Sequence, residues 1–396
     1  MDIIMRILFK NANIISAAGI TPGELLVEGD KIKRVAYNET IDMPCDQVVD
    51  VQHKYLSPGF IDLHTHGGGG SDFMDGTLDA IYHASREHLK YGTTSIVPTT
   101  LTSTREDLLE FLDLFNQVEL TKEGCPNILG LHLEGPYFSY NQRGAQDPRY
   151  LRNPDKEEYM EALRRTDRII RWSFAVELDG SREFLAELRK HGIVSSLAHS
   201  DATCAEVTDS YENGLAALTH FYSSMSTVVR KNSYRIAGAV EAGYLIDDLF
   251  VEVIADGKHL PKELLQLIYK MKGPDRICLV TDSMRGAGMP DGWSILGNRD
   301  CGMEVVIEDG VAKLPDRSAF AGSVATADRL VRTFYQLTGV PLHEVVRMMT
   351  LTPAKLLKID SQKGSIAEGK DADLIIFDEN IKVDFVMVRG LINQMA

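Results

Sequence analysis

The sequence predicts an α/β protein: a (β/α)8 TIM-like barrel over residues 57–358, with a small β-sandwich domain built from residues 1–56 plus 359–396. Three observations carry this expectation. From Tyr55 onward, short apolar blocks alternate with amphipathic stretches, the pattern of βα units around a parallel sheet. Both chain ends carry β-type runs broken by turn residues instead. A closed barrel takes roughly 250 residues as one domain, so 396 residues accommodate it with an appendage.

The elements follow in order. IMRILFKNANII, GELLVEGDKIKRVAY and QVVDVQHKYL, separated by Gly-Asp and Pro turns, read as a small sheet. Eight strand candidates come next: GFIDLH, TTSIVPTT, ILGLHLEG, IRWSFAVEL, IVSSLAH, LAALTHF, LFVEVIAD and ICLVTDS. Between them lie helix-like segments such as TLDAIYHASREHLKYG, TREDLLEFLDLFNQV and SREFLAELRKHG. Glycine near the end of such a segment, after lysine or histidine, is an expected stop. The stretch 284–322, with a hairpin in VVIEDGVAKL, reads as an insertion before the last helices. The runs GSIAEGKDADLIIFD and IKVDFVMVRGLI are then expected to complete the sheet begun at the N-terminus.

A hydrophobic content of 44% with 25% charged residues is that of an ordinary globular protein, which excludes a disordered chain. The formal charge of -15 argues against nucleic acid or an anionic membrane as partner, because both select basic surface. Cys45, Cys125, Cys204, Cys278 and Cys301 are scattered, without a CxxC pair, and suggest a reducing cytoplasm rather than a disulfide framework. The N-terminus lacks the small-residue cleavage site of a signal peptide, and no apolar run reaches the ~18 residues of a membrane span.

Barrel chemistry resides at the carboxyl ends of the strands. In PGFIDLHTHGGGG, His64 and His66 share one face of a strand while Thr65 turns away. The third strand ends at Glu134, the fifth at His199, the sixth at His220 and the eighth at Asp282; the seventh runs into ADGKH, ending at His259. Neutral imidazole and carboxylate are ligands suited to zinc and iron, and a carboxylate can bridge two ions. The expectation is a hydrolytic site holding one or two divalent ions, zinc or iron. Glu177, also at a strand end, has no partner in the pattern and reads as a salt-bridged structural acid.

With HTH, HLEGP, AHS, THFYSSM and TDSM in this order, the sequence resembles the N-acetylglucosamine-6-phosphate deacetylases of the amidohydrolase superfamily. The resemblance spans nearly the whole chain, and HLEGP is its most discriminating part, since related hydrolases use a modified lysine where this family has a glutamate. It implies that Glu134, His199 and His220 bind one ion and that His64, His66, Glu134 and Asp282 hold a second. Asp282 is then the catalytic residue that accepts a proton from water and delivers it to the departing amine.

Around the sugar it implies contacts from Gly144, Ala145, Gln146, Ser223, Ser224, His259, Ala321, Gly322 and Ser323. Three places depart from the family pattern: Gln146 replaces a histidine that contacts the acetyl carbonyl, Ser223-Ser224 replaces Asn-Ala, and VVRKNSYR replaces a segment with a phosphate-binding arginine. For the phosphate, Arg230 is the first candidate, with Lys231, Arg235 and Arg143 behind it. The implied partners are a phosphorylated amino sugar and a second copy of the chain in a homodimer. Two alternatives stay open: hydrolysis of another N-acyl amino sugar, such as N-acetylgalactosamine-6-phosphate, or of a cyclic amide on the same scaffold, and a non-catalytic scaffold of the kind that has lost its metals.

Overall fold

The computed structural model describes residues 5–395. All eight strand candidates form strands: β1 (Phe60–Thr65), β2 (Thr93–Pro98), β3 (Leu131–Glu134), β4 (Ile169–Phe174), β5 (Val194–Leu197), β6 (Ala217–Leu218), β7 (Phe250–Val253) and β8 (Ile277–Leu279). Neighbours pair in parallel from β1 to β2 and from β3 through β8. A bridge between Thr99 and His132 joins β2 to β3. The ring closes where the Asp282 amide donates to the His64 carbonyl (2.8 Å) and the Thr281 hydroxyl donates to Asp62 (2.6 Å).

β1 and β2 are buried along their whole length, which is why neither shows the apolar-in, polar-out alternation of a half-exposed strand. Amphipathic helices cover the outside. Thr77 caps Leu78–Leu89 by accepting from the Ala80 amide, and Thr104 caps Arg105–Phe115 by accepting from Asp107. The helix Ser181–Lys190 stops at His191 and the left-handed Gly192 (φ 70°), the stop that RKHG predicts.

Strands from both chain ends lie in one mixed sheet, in the order Leu391–Met395, Val383–Val388, Leu374–Phe377, Tyr55–Pro58, Arg6–Ser16, Gly19–Glu28, Lys31–Tyr37, with Gln47–Asp50 also paired to Arg6–Ser16. A principal tie between this sheet and the barrel is a seam beside β1. The strand Tyr55–Pro58 runs into β1 after Gly59, whose amide donates to the Asp373 carbonyl (2.9 Å). The Asp373 carboxylate takes Lys363 (2.6 Å) and the Asn127 amide (3.2 Å), so the acid of the DAD motif is paired where it is buried. Phe377, fully buried, stacks on Phe60 at 6.5 Å and lies 5.5 Å from Tyr55.

The 284–322 insertion forms a three-stranded antiparallel sheet, Gly292–Leu296, Met303–Glu308 and Val311–Lys313. Its hairpin turns at Asp309 and Gly310, both with positive φ (56° and 73°), as a tight two-residue turn between right-twisted strands demands. The inner face, including Leu296, Val305 and Ile307, packs on Met284 and Ala321 beside the barrel mouth.

Because Phe377 joins sheet and barrel, Phe377→Ala is expected to destabilise the protein by about 3–5 kcal/mol in denaturant unfolding. A loss below about 1 kcal/mol would mean that the seam contributes little to the barrel's stability.

Candidate metal centre

His64, His66, Glu134, His199, His220 and Asp282 converge at the carboxyl ends of their strands, and all six are buried. Their local backbone explains how. His199, His220 and Asp282 have positive φ (46°, 33° and 46°), a region that non-glycine residues seldom adopt. At each, the chain leaves the strand direction where the side chain meets the mouth. Strain of this kind persists only where surrounding contacts hold it. At Asp282 those contacts are the amide bond to His64 and a bond from the Ser323 amide to the Asp282 carbonyl (2.7 Å). Gly322 (φ 67°) is required there, since a Cβ would come within 2.9 Å of that carbonyl oxygen.

Two groups share Glu134: His64, His66 and Glu134, and Glu134, His199 and His220. In the first, the Nε2 atoms of His64 and His66 stand 3.3 Å apart and lie 3.6 and 3.5 Å from Glu134 oxygens. Asp282 Oδ1 adds a further donor at 3.4 Å from His64 and 3.2 Å from His66. In the second, the Nε2 atoms of His199 and His220 are 3.2 Å apart, and Glu134 Oε1 is 3.4 and 3.1 Å from them. For bonds of roughly 2.0–2.2 Å in a tetrahedral shell, neighbouring ligand atoms stand about 3.3–3.6 Å apart. The side chains therefore fit one ion in each group, with Glu134 common to both.

The far side of each imidazole strengthens this fit. Nδ1 of His66 faces the Thr99 carbonyl (3.3 Å), that of His199 the Gln142 carbonyl (2.8 Å) and that of His220 the Ser223 carbonyl (3.1 Å). A carbonyl only accepts, so the proton belongs on Nδ1, and the Nε2 lone pair is left for the centre. His64 Nδ1 faces Glu252 (3.2 Å).

Glu252 is a residue that sequence reasoning missed. Fully buried on β7, it also accepts from the His220 amide (3.2 Å) and pairs with Arg171, itself fully buried on β4. The signal was available: a charged residue inside an otherwise apolar strand needs a partner of opposite charge. His132, the histidine of HLEGP, belongs to the support instead. Its ring nitrogens meet the hydroxyls of Thr99 (3.2 Å) and Ser173 (2.7 Å), and burial with the neighbouring Arg171 holds its pKa well below the usual histidine value.

The electrostatics favour a cation. Burial works to raise the pKa of Glu134, but the imidazoles hold it well below the usual carboxylate range; Asp282 is likewise lowered despite its burial. Burial lowers the pKa of His66, yet its hydrogen bond to Asp282 and the charges of Glu134 and Asp282 outweigh this and lift it to about 9.

A cavity of about 240 Å³ opens over the centre. Gly144, Ala145, Gln146, Ser223, Ser224, His259 and Gly322 line it with five of the six centre residues. His259 Nδ1 is held by Asp256 (2.9 Å) and its ring lies 4.8 Å from Phe320, a lining residue not singled out from sequence. Ala321 and Ser323 are buried but do not line the cavity; they brace Met284 and the Asp282 backbone. Arg230 stands on an exposed hairpin, Val229–Lys231 with Tyr234–Ile236, away from the cavity wall. Lys231 and Arg235 share that hairpin, and Arg143 is half-buried, with its guanidinium over the Tyr140 ring at 4.4 Å. Among the described residues, no lysine or arginine lines the cavity. Glu177 accepts from the Ser200 hydroxyl and the Asp201 amide (both 2.6 Å), so among the described residues it is held by hydrogen bonds and has no salt bridge, which corrects the salt-bridged reading.

A barrel with four imidazoles and two carboxylates at its mouth, spaced for a pair of divalent ions, defines a hydrolase scaffold of the metal-dependent type. Comparison with other proteins agrees. The Amidohydrolase family matches residues 55–392. The N-acetylglucosamine-6-phosphate deacetylase of Lysinibacillus sphaericus is 31% identical, covering 98% of both chains. The N-acetylgalactosamine-6-phosphate deacetylase of Escherichia coli O157:H7 is 31% identical over 87% of this chain and 89% of that protein. A mutant N-acetyl-D-glucosamine-6-phosphate deacetylase from Mycobacterium smegmatis, solved with N-acetyl-D-glucosamine-6-phosphate, superposes with a TM-score of 0.90 at 28% identity, covering 99% of this chain and 100% of that one. The chain belongs to the amidohydrolase family and, within it, to the N-acetylglucosamine-6-phosphate deacetylase family.

Metal uptake at His64, His66 and Glu134 has to displace the proton that the carboxylates draw onto His66. Affinity is therefore expected to rise with pH up to about 9, by up to tenfold per unit for the one proton displaced. Chelator competition at a series of pH values measures this; a pH-independent affinity would assign the proton elsewhere.

Proposed function

We propose that the protein hydrolyses the N-acetyl group of N-acetylglucosamine-6-phosphate, releasing glucosamine-6-phosphate and acetate. The observation that carries this reading is the position of Asp282. Its carboxylate is held ionised at the mouth, 3.2 Å from His66 and 3.4 Å from His64, and it lines the cavity beside the shared Glu134. We assign His64, His66, Glu134 and Asp282 to one divalent ion and Glu134, His199 and His220 to another, zinc or iron in each case. Such an ion, when bound, polarises a carbonyl oxygen and lowers the pKa of water from 15.7 toward ~7.

Asp282 then serves as the base. It takes a proton from the water that attacks the acetamide carbon and returns it to the nitrogen as the carbon–nitrogen bond breaks, because an amide nitrogen leaves poorly unless protonated. Gln146 donates to Glu134 (2.7 Å) and borders the space of the reacting carbonyl. His259, whose Nδ1 is committed to Asp256, presents Nε2 to the sugar alongside Gly144, Ala145, Ser223, Ser224 and Gly322. Ala321 and Ser323 hold the loop that bears Gly322.

The 6-phosphate needs a cation that the cavity of one chain lacks among the described residues. We assign it to Arg230, brought to the site of a neighbouring copy in a homodimer. Support comes from the hairpin itself, which exposes Val229 and Tyr234 beside its cations. The two-domain division at residues 57 and 358, with a small β-sandwich of both chain ends, is supported by the mixed sheet and its own apolar cluster. A cytoplasmic location fits the five free cysteines.

N-acetylgalactosamine-6-phosphate is the second reading, favoured by the 31% identity to the Escherichia coli deacetylase of that name. One assay series separates the two. Acetate release should be fastest from N-acetylglucosamine-6-phosphate, slower from its galactosamine epimer and slowest from unphosphorylated N-acetylglucosamine. Asp282→Asn should lower every rate by about 10²–10⁴-fold while metal stays on Glu134, His199 and His220. Preference for the galactosamine epimer would transfer the assignment to that sugar, and an active Asp282→Asn protein would remove Asp282 from the proton transfer.

A further inference from the structure

A second cavity, of about 330 Å³, lies against the active-site cavity, and Leu101, Ala145, Gln146 and Leu296 line both. We propose that it is an acyl pocket, through which the enzyme accepts neutral N-acyl groups longer than acetyl on the phosphorylated amino sugar. This rests on the hydrolase reading above and extends it to the substrate's other end.

The reacting carbonyl has to lie against Glu134 and Asp282. Its two substituents leave the centre in different directions. The sugar needs hydrogen-bonding partners, and the polar part of the wall, Ser223, Ser224 and His259, belongs to the active-site cavity alone. An acyl chain needs apolar contact, and Leu101, Ala145 and Leu296 provide it at the shared partition. Gln146 spans that partition. Its Nε2 donates to Glu134 (2.7 Å), while its Oε1 accepts from the amide of Thr102, a residue of the second cavity only.

Beyond the partition the walls are mixed, and Met74, Phe111, Leu114 and Met303 supply their apolar part. The volume is on the order of ten water molecules at ~30 Å³ each, room for several carbons beyond acetyl. The Thr102 hydroxyl is buried with no partner among the described residues, a group left for whatever fills the space. Asp107 and Glu110 also line the cavity, and with no lysine or arginine among its lining residues they set its charge against an anionic chain; Asp147, a third acid there, is paired with Arg149.

The test compares kcat/KM for N-acetyl-, N-propionyl-, N-butyryl- and N-succinyl-glucosamine-6-phosphate, read as release of the common amine. It uses the wild type and two variants that fill the second cavity without touching the first, Leu114→Trp and Ser103→Phe. The N-butyryl substrate is expected within about tenfold of N-acetyl in the wild type, with N-succinyl at least about a hundredfold below. Each filling variant should lower N-butyryl turnover by about thirtyfold and leave N-acetyl within about twofold. If a variant fails to fold, the wild-type series still decides. N-butyryl more than about a thousandfold below N-acetyl, or a filling variant that lowers both equally, overturns the pocket and leaves the deacetylase standing. If no N-acyl substrate is hydrolysed, N-acetyl included, the hydrolase reading falls and the pocket with it.

Discussion

The chemistry at the barrel mouth depends on where four imidazole protons reside. Carbonyl oxygens opposite Nδ1 of His66, His199 and His220, and Glu252 opposite Nδ1 of His64, keep those protons on the outer side of each ring. Once the extra proton drawn onto His66 is displaced, four lone pairs face inward onto Glu134 and Asp282. With the opposite tautomers, N–H groups would crowd one another in a space only 3.2–3.3 Å across and leave the carbonyls without donors. The hydrogen bonds outside the centre thus determine what it can bind.

These supports are expensive unless they are connected. Glu252 and Arg171 are both fully buried, and neither charge is tolerable there alone. Together they form a small network in the barrel interior: Arg171 also donates to the hydroxyls of Ser196 (2.9 Å) and Thr219 (3.2 Å), while Glu252 reaches His64 and the His220 amide. Rotating His64 would cost Glu252 one of its partners, and moving β4 would separate the Glu252 carboxylate from the Arg171 guanidinium. The left-handed backbone at His199, His220 and Asp282 is held against the same rigid frame, so strain is concentrated where direction matters most.

Much of this was legible in the sequence because a barrel converts position along a strand into position at a mouth. HTH, HLEGP, AHS, THF and TDS each put a ligand type at the end of an apolar block, and the structure brings those six side chains together. What escaped is physically distinct. Arg171 and Glu252 lie within strands, where a polar residue gives no hint of which strand holds its partner. Phe320 comes from an insertion whose fold over the mouth follows no periodicity of the barrel. Arg230 could be named from sequence, but it falls in an exposed hairpin whose destination a single chain does not define. The second cavity has no motif at all, since its walls come from a strand-end loop, a helix and the insertion sheet, which only tertiary structure assembles.

The most direct test of the shared centre is anomalous diffraction at the zinc edge from crystals of zinc-loaded protein. The account predicts two ions about 3.5–4 Å apart, bridged by Glu134 and bound through Nε2 of His64, His66, His199 and His220. Ions bound through Nδ1, or no ion between these side chains, would contradict it.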